Sequence, residues 1–291
     1  MPDNVITMES LLEKGPELSS MPEVYMRVTQ QLEDDNSTAK TIGNTVQTDP
    51  ALSTRILKMV NSAYYGMPNQ VSTISQAVQL LGRDRLKQIL IGSVLVNVFS
   101  DPEIDSFSLA DFWRHSIKTA IIAKQLAIQH VDINEPDSIF IAGLLHDLGR
   151  LLLASKLPVV YDKIENRKRS QDLLETERKE LGFDHAELAA TLMTQWGLPD
   201  ILVTCTRHHH DSEYAGTYAT ANRVIYVANK LSRNIPPMDE GEAQEQLSAI
   251  NNWQLVGLPL DQICFACQLA DEQMFDVMES LGMIDMELES G

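Results

Sequence analysis

Basic residues are in short supply. The chain has 23 lysines and arginines against 41 aspartates and glutamates, a formal net charge of −18. A field of that sign repels phosphate backbones and anionic lipid, so neither DNA nor a membrane is an expected partner. Cysteine is scarce as well: Cys205, Cys264 and Cys267 form a small, odd-numbered set, which argues against a disulfide framework and fits a reducing compartment. The opening MPDNVITMESLLEKG has neither the basic flank nor the apolar centre of a secretion signal. No apolar run reaches the roughly 20 residues that span a bilayer. A cytoplasmic location is the expectation. Strand signals are missing too: β-branched residues are scattered, and no tight-turn pair separates alternating runs. No internal repeat is evident.

What is present is helical patterning. At 291 residues the chain is long enough for one large domain or two modest ones. Pro22 opens a segment with Val24, Val28 and Leu32 on one stripe. Asp49 and Pro50 read as N-cap and first-turn residues of a helix carrying Leu52, Ile56, Leu57 and Val60. Thr73 to Gln76 reads as a capping box, and Gly82 ends the helix that follows. Another helix runs through LKQILIGSVLVNVF. The polar stretch DPEIDSFSLAD after Ser100 divides an N-terminal helical lobe, 1–100, from a central lobe, 101–235. The periodicity predicts central helices near 110–130, 137–155, 171–182, 184–197, 199–210 and 218–233. The breaker-rich, acidic NIPPMDEGEAQEQ then introduces a linker and C-terminal helix, 236–291.

Six of the seven histidines fall at four places in the central lobe. His115 stands in DFWRHSIKTA, His146-Asp147 in IFIAGLLHDLGR, His185 in LGFDHAELAA, and His208, His209 and His210 in TCTRHHHD. His130, at a helix end, is explained by the helix dipole. A metal site wants neutral imidazoles and a carboxylate converging on the cation, and facing helices can supply them. Neighbours on a helix point about 100° apart, so the His-Asp pair bridges a site only where several helices close around it. The apolar IFIAGLL before the pair implies deep burial, and a buried Asp147 then needs a cation or hydrogen bonds. Gly149 permits a close approach just beyond. Any one of these histidines alone reads as an ordinary core or surface residue; the ordered set on successive helices carries the signal.

With the stretches DPALSTRILKMVNSAYYG, ISQAVQLLG, AGLLHDLGRLLL, LGFDHAELAATLMTQWGLP and HHHD, the chain resembles the HD superfamily of metal-dependent phosphohydrolases. Within it, the chain resembles the HDOD branch of bacterial signalling proteins, from about Leu18 to the region of Leu231. The resemblance implies an all-α, multi-helix HD-like bundle with an additional N-terminal helical lobe. It also implies a regulatory output module that works by docking a signalling protein. Residue by residue, His115, His146, Asp147 and His185 stand at ligand positions, and His209 and His210 fill the histidine-pair position. Asn229 stands where the superfamily closes its site with Asp. An amide brings no negative charge, and with Asp147 as the only carboxylate the resemblance implies a degenerate site, with one divalent ion (iron, manganese, zinc or nickel) or none expected rather than two. The chain reads HHHDSEYAGTYA where cyclic-dinucleotide phosphodiesterases of the superfamily carry Gly-Tyr-Pro, which counts against cyclic-di-GMP hydrolysis.

If hydrolysis survives, Asp147 and Arg150 are the candidate catalytic residues. Arg150 lies four residues after His146 on the same helical face and is placed to hold a phosphate oxygen. Lys118 is a second candidate, for which a solvated face is the simpler reading. Two alternatives to the regulatory module therefore stay open: a phosphohydrolase acting on a nucleotide or phosphodiester, and a pocket that senses such a ligand without cleaving it. Cys264 and Cys267 form a CxxC, but structural zinc needs about four ligands and no second pair exists; the spacing places both thiols on one apolar helix face. Tyr64 and Tyr65 face either a partner or the junction between lobes.

Overall fold

The computed structural model describes residues 7–13, 21–96, 104, 106–167, 172–233, 241, 245, 247–251 and 253–283. Most of the expected linker after Arg233, and the start of the connector after Ser100, lie outside these. Among the described residues there is no β-strand, and the architecture is all-α. It divides into two compact units, one comprising Met1–Ser20 with Phe99–Cys267, the other Met21–Val98 with Gln268–Gly291.

The smaller unit contains α2 (Glu23–Glu33), α3 (Ala39–Val46), α4 (Pro50–Asn61), α5 (Ile74–Leu81) and α6 (Arg83–Leu95). Its helix ends follow local chemistry. Asp49 accepts the Leu52 amide at 2.9 Å with Pro50 in the first turn, and Gly82 closes α5 at φ +83°. The Thr73 box is half reciprocal: Thr73 accepts the Gln76 amide, but the Gln76 side chain accepts from Ser72. On α2 the buried stripe is Tyr25, Val28 and Leu32, while Val24 is half-buried. Residues three and seven apart from Tyr25 share a face, and the aromatic ring takes the core position. Arg83 donates to the carbonyls of Gln31, Leu32, Asp34 and Ser37, satisfying acceptors that the end of α2 leaves open.

The larger unit begins with the short α1 (Met8–Leu12). It continues with α7 (Leu109–Ile128), α8 (Pro136–Leu145), α9 (Leu148–Lys156), α10 (Pro158–Arg167), α11 (Leu173–Leu181), α12 (His185–Gln195), α13 (Asp200–His208) and α14 (Ala219–Leu231). Two glycines set helix spacing here. A Cβ on Gly143 of α8 would lie 2.7 Å from the Ala120 Cα of α7, and one on Gly149 of α9 would lie 1.9 Å from the His185 carbonyl oxygen. Both helices pack at distances no other residue allows.

The structure differs from the periodicity in two places. The expected helix 137–155 is broken at His146 and Asp147, where Asp147 takes φ −95°, ψ 8°. Apolar residues continue on both sides, so the pattern does not register the break; tertiary contacts of Asp147 and Gly149 hold it. The helix α10 follows directly, opened by Pro158 and buried through Tyr161, Ile164 and Glu165. Pro136–Lys156 is also, by length and hydropathy, apolar enough to cross a membrane, contrary to expectation, but 89% of its most apolar window is buried inside the protein. The last helix, α15 (Leu260–Leu281), carries the chain from the larger unit into the smaller. On it Cys267 is buried and Cys264 half-buried.

Candidate metal centre

Five histidines and one aspartate from five helices meet inside the larger unit. The potential ligand atoms of Asp147, His185, His209 and His210 lie within 4.8 Å of one another, as do those of His115, His146 and Asp147. Asp147 is common to both groups. His146, Asp147, His185 and His209 are fully buried, whereas His115 and His210 are half-buried.

Each element delivers its side chain for a local reason. His115 sits on α7, whose N-cap Ser108 accepts the Asp111 amide. The turn between α8 and α9 lets His146 and Asp147, which would diverge on a continuous helix, face one point. His185 opens α12 behind a reciprocal capping box between Asp184 and Glu187. His209 and His210 follow the last turn of α13.

Hydrogen bonding fixes how the rings are protonated. His146 Nδ1 lies 2.7 Å from the Gly143 carbonyl oxygen and His209 Nδ1 2.6 Å from that of Thr206. Carbonyls only accept, so both Nδ1 atoms carry the proton and both Nε2 atoms present a lone pair. His115 Nδ1 lies 3.0 Å from Ser232 Oγ, which donates to the Asn229 carbonyl. His185 Nδ1 donates to Glu177 Oε2 at 2.7 Å, and the same oxygen accepts the His185 amide at 2.9 Å.

The Nε2 atoms of His115, His146 and His209 therefore point inward with no proton of their own. His185 and His209 Nε2 each lie 3.3 Å from Asp147 Oδ1, His146 Nε2 3.5 Å from it, and His115 Nε2 3.7 Å from Oδ2. Ligands about 2.1 Å from a shared ion, at tetrahedral to octahedral angles, stand roughly 3.0–3.4 Å apart. Among the described residues, buried His115 Nε2, His146 Nε2, His209 Nε2 and Asp147 Oδ1 have no hydrogen-bond partner. Lone pairs facing lone pairs in a dry interior are costly unless a cation sits among them. The residues present fit a divalent metal ion.

Electrostatics agrees. Burial alone would raise the Asp147 carboxyl, but the neighbouring His146, the Arg150 guanidinium and a hydrogen bond from His185 hold it well below the usual range. Burial lowers His146 and His209, and takes His115 to about 4, so these rings are neutral. For His185, burial is outweighed by Glu177 and Asp147, which lift it to about 10. Without metal, a proton on His185 bridges Asp147 and His210, whose Nε2 lies 3.0 Å from His185 Nε2.

The HDOD domain family matches residues 18–212, two thirds of the chain. This chain belongs to the HDOD family. A Shewanella amazonensis SB2B protein provisionally named a phosphohydrolase is 27% identical with a TM-score of 0.77, covering 94% of this chain and 100% of that one. An HDOD domain protein of unknown function from Geobacter sulfurreducens shares the fold at a TM-score of 0.69 and 20% identity, covering 94% of each chain. An uncharacterised protein of Treponema pallidum (strain Nichols) is 27% identical over 230 residues, covering 74% of this chain; the match spans 44% of that relative's length.

Of the other candidates of the HDOD reading, Arg150 is held by three side chains. Arg150 donates through Nη1 to Asp147 Oδ2 at 2.9 Å, through Nη2 to Glu165 Oε1 at 2.9 Å, and through Nε to Tyr161 at 3.2 Å. It clamps the aspartate rather than standing ready for a phosphate. Asn229 is fully buried on α14 with neither amide atom hydrogen-bonded, and its backbone carbonyl is one hydroxyl away from His115. His208 turns aside and stacks on Tyr214 with 4.1 Å between centroids. Lys118 is half-buried on α7.

Glu177, Glu165, Tyr161 and Ser232 were absent from the sequence candidates. Glu177 had a signal: it lies four residues from Leu173 and from Leu181, on the apolar stripe of a charged helix. A glutamate there has to be partnered.

Proposed function

We propose that this chain is a regulatory HDOD module that holds a divalent metal ion in its histidine cluster and acts through contact with a signalling protein. The observation that supports the metal is the set of buried Nε2 lone pairs of His115, His146 and His209 around Asp147, none of which has a hydrogen-bond partner among the described residues. One ion is the reading charge supports: among the described residues Asp147 is the only carboxylate in the cluster, Glu177 and Glu165 being engaged by His185 and Arg150. The group formed by Asp147, His185, His209 and His210 would hold it. Imidazole and a single carboxylate suit iron, manganese, zinc or nickel.

A second reading, phosphoester hydrolysis, is favoured by the completeness of the histidine set. The ion would supply Lewis acidity toward a phosphoryl oxygen. Asp147 would stay ionised, and His115, neutral and at the edge of the cluster, is the side chain placed to accept a proton. Against it stand the commitment of Arg150 to carboxylates and the amide at Asn229. Metal-loaded protein incubated with p-nitrophenyl phosphate and bis-p-nitrophenyl phosphate tests the choice. The regulatory reading expects no turnover above that of Asp147→Asn; turnover abolished by that substitution would establish the hydrolase instead.

A further inference from the structure

A cavity of about 410 Å³ opens beside the cluster, lined by residues of α11, of the start of α12 and of the end of α13. We infer that it receives a small, polar phosphate monoester whose phosphate approaches the metal centre past His210. The inference rests on the metal reading of the cluster and adds the class of ligand.

His210 belongs at once to the cavity wall and to the group around Asp147. It is the one half-buried member of that group, so on this side a ligand reaches the centre at His210. Two arginines stand here in a chain of net charge −18: Arg178 and Arg207 line the same cavity.

Three carboxylates line it too, and each is engaged within the protein. Asp184 accepts the Glu187 amide at 2.9 Å and pairs with Arg178 at 2.5 Å, Glu187 accepts the Asp184 amide at 3.2 Å, and Asp211 accepts the Glu213 amide at 2.9 Å. Arg207 differs. It is exposed, and no hydrogen bond or ion pair engages its guanidinium among the described residues. A planar fork of donors left open beside a cation site matches a phosphate.

The lining also argues for the rest of the ligand. The volume is at the lower end for a small-molecule site, roughly 300–1,000 Å³. Among the described lining residues only Leu174 and Ala186 are apolar, and none is a Phe, Tyr or Trp that would stack a nucleobase. One face of the His208 ring is covered by Tyr214. A hydroxylated carbon skeleton fits such walls better than a base.

Calorimetric titration of the full chain with glycerol 1-phosphate and with AMP tests this. Manganese-loaded and chelator-stripped protein are both used, with metal content measured on every sample. The expected result is binding of glycerol 1-phosphate that weakens about tenfold or more in Arg207→Ala, the loss of one charged hydrogen bond. Arg207→Lys should recover part of it, metal content should be unchanged, and AMP should bind no tighter. Equal affinity in Arg207→Ala, or no binding to either form of the wild type, overturns the inference; AMP binding tenfold tighter overturns the ligand class. Arg207-dependent binding by protein that retains no metal keeps the cavity as a phosphate site and refutes the metal centre alone.

Discussion

Glu177 Oε2 holds His185 twice, taking its backbone amide at 2.9 Å and its ring Nδ1 at 2.7 Å. One oxygen thus fixes both the start of α12 and the direction of the His185 Nε2 lone pair. A carboxylate behind a ligating histidine sets the tautomer and raises its basicity, and removing one typically costs 10–100-fold in metal affinity. Glu177→Gln should therefore fold and bind metal on the order of tenfold to a hundredfold more weakly in a competition titration. Unchanged affinity would show that His185 is not a ligand.

Arg150 is the second support. Its guanidinium joins Asp147 and Glu165, both carboxylates nearly or fully buried, so Arg150→Ala leaves two buried charges uncompensated. Breaking such a pair costs about 3–5 kcal/mol. The expected result is a loss of that order in urea unfolding, with Tyr161→Phe, which removes a single 3.2 Å hydrogen bond, costing about 1 kcal/mol. A phosphate-holding role would predict the opposite, near-normal stability in Arg150→Ala.

Gly149 tests the packing that creates the turn. A methyl there meets the backbone of His185 at 1.9 Å, and backbone cannot swing aside as a side chain can. Gly149→Ala should cost a few kcal/mol, on the scale of overpacked cores, and lower metal content with it. A fully stable, metal-competent variant would mean that α9 and α12 separate freely.

The metal-free protein should be most stable near pH 6.5. His185 keeps its proton in the folded state to about pH 10, against 6.5 in the unfolded chain. Its stabilisation is complete below pH 6.5 and is lost as pH rises toward 10, on the order of 5 kcal/mol. His115 acts in the other direction. Folded, it resists protonation down to about 4, so the unfolded chain takes up a proton first and stability falls between pH 6.5 and 4, by about 3 kcal/mol. Denaturant unfolding of chelator-treated protein at pH 5, 6.5 and 8.5 checks both slopes.

Much of this was legible in the sequence. The helix starts at Asp49 and Asp184 and the stop at Gly82 are local chemistry, and the structure has them. The spacing of His115, His146-Asp147, His185 and His209-His210 brought the cluster to notice because metal ligands are chemically rare on apolar faces. The break at Asp147 was not legible, because hydropathy is continuous through it and only contacts distant in sequence hold it. The partners of Arg150 were not legible for a related reason: Tyr161 and Glu165 lie on α10, a helix hidden between Pro158 and a charged tail.

Metal content measured by plasma mass spectrometry on protein purified without chelator or histidine tag tests the central claim most directly, alongside His146→Ala and His209→Ala. The account predicts close to one iron, manganese, zinc or nickel ion per chain, lost on His209→Ala and reduced on His146→Ala. Wild-type protein that stays metal-free after anaerobic reconstitution with each of these ions would contradict it.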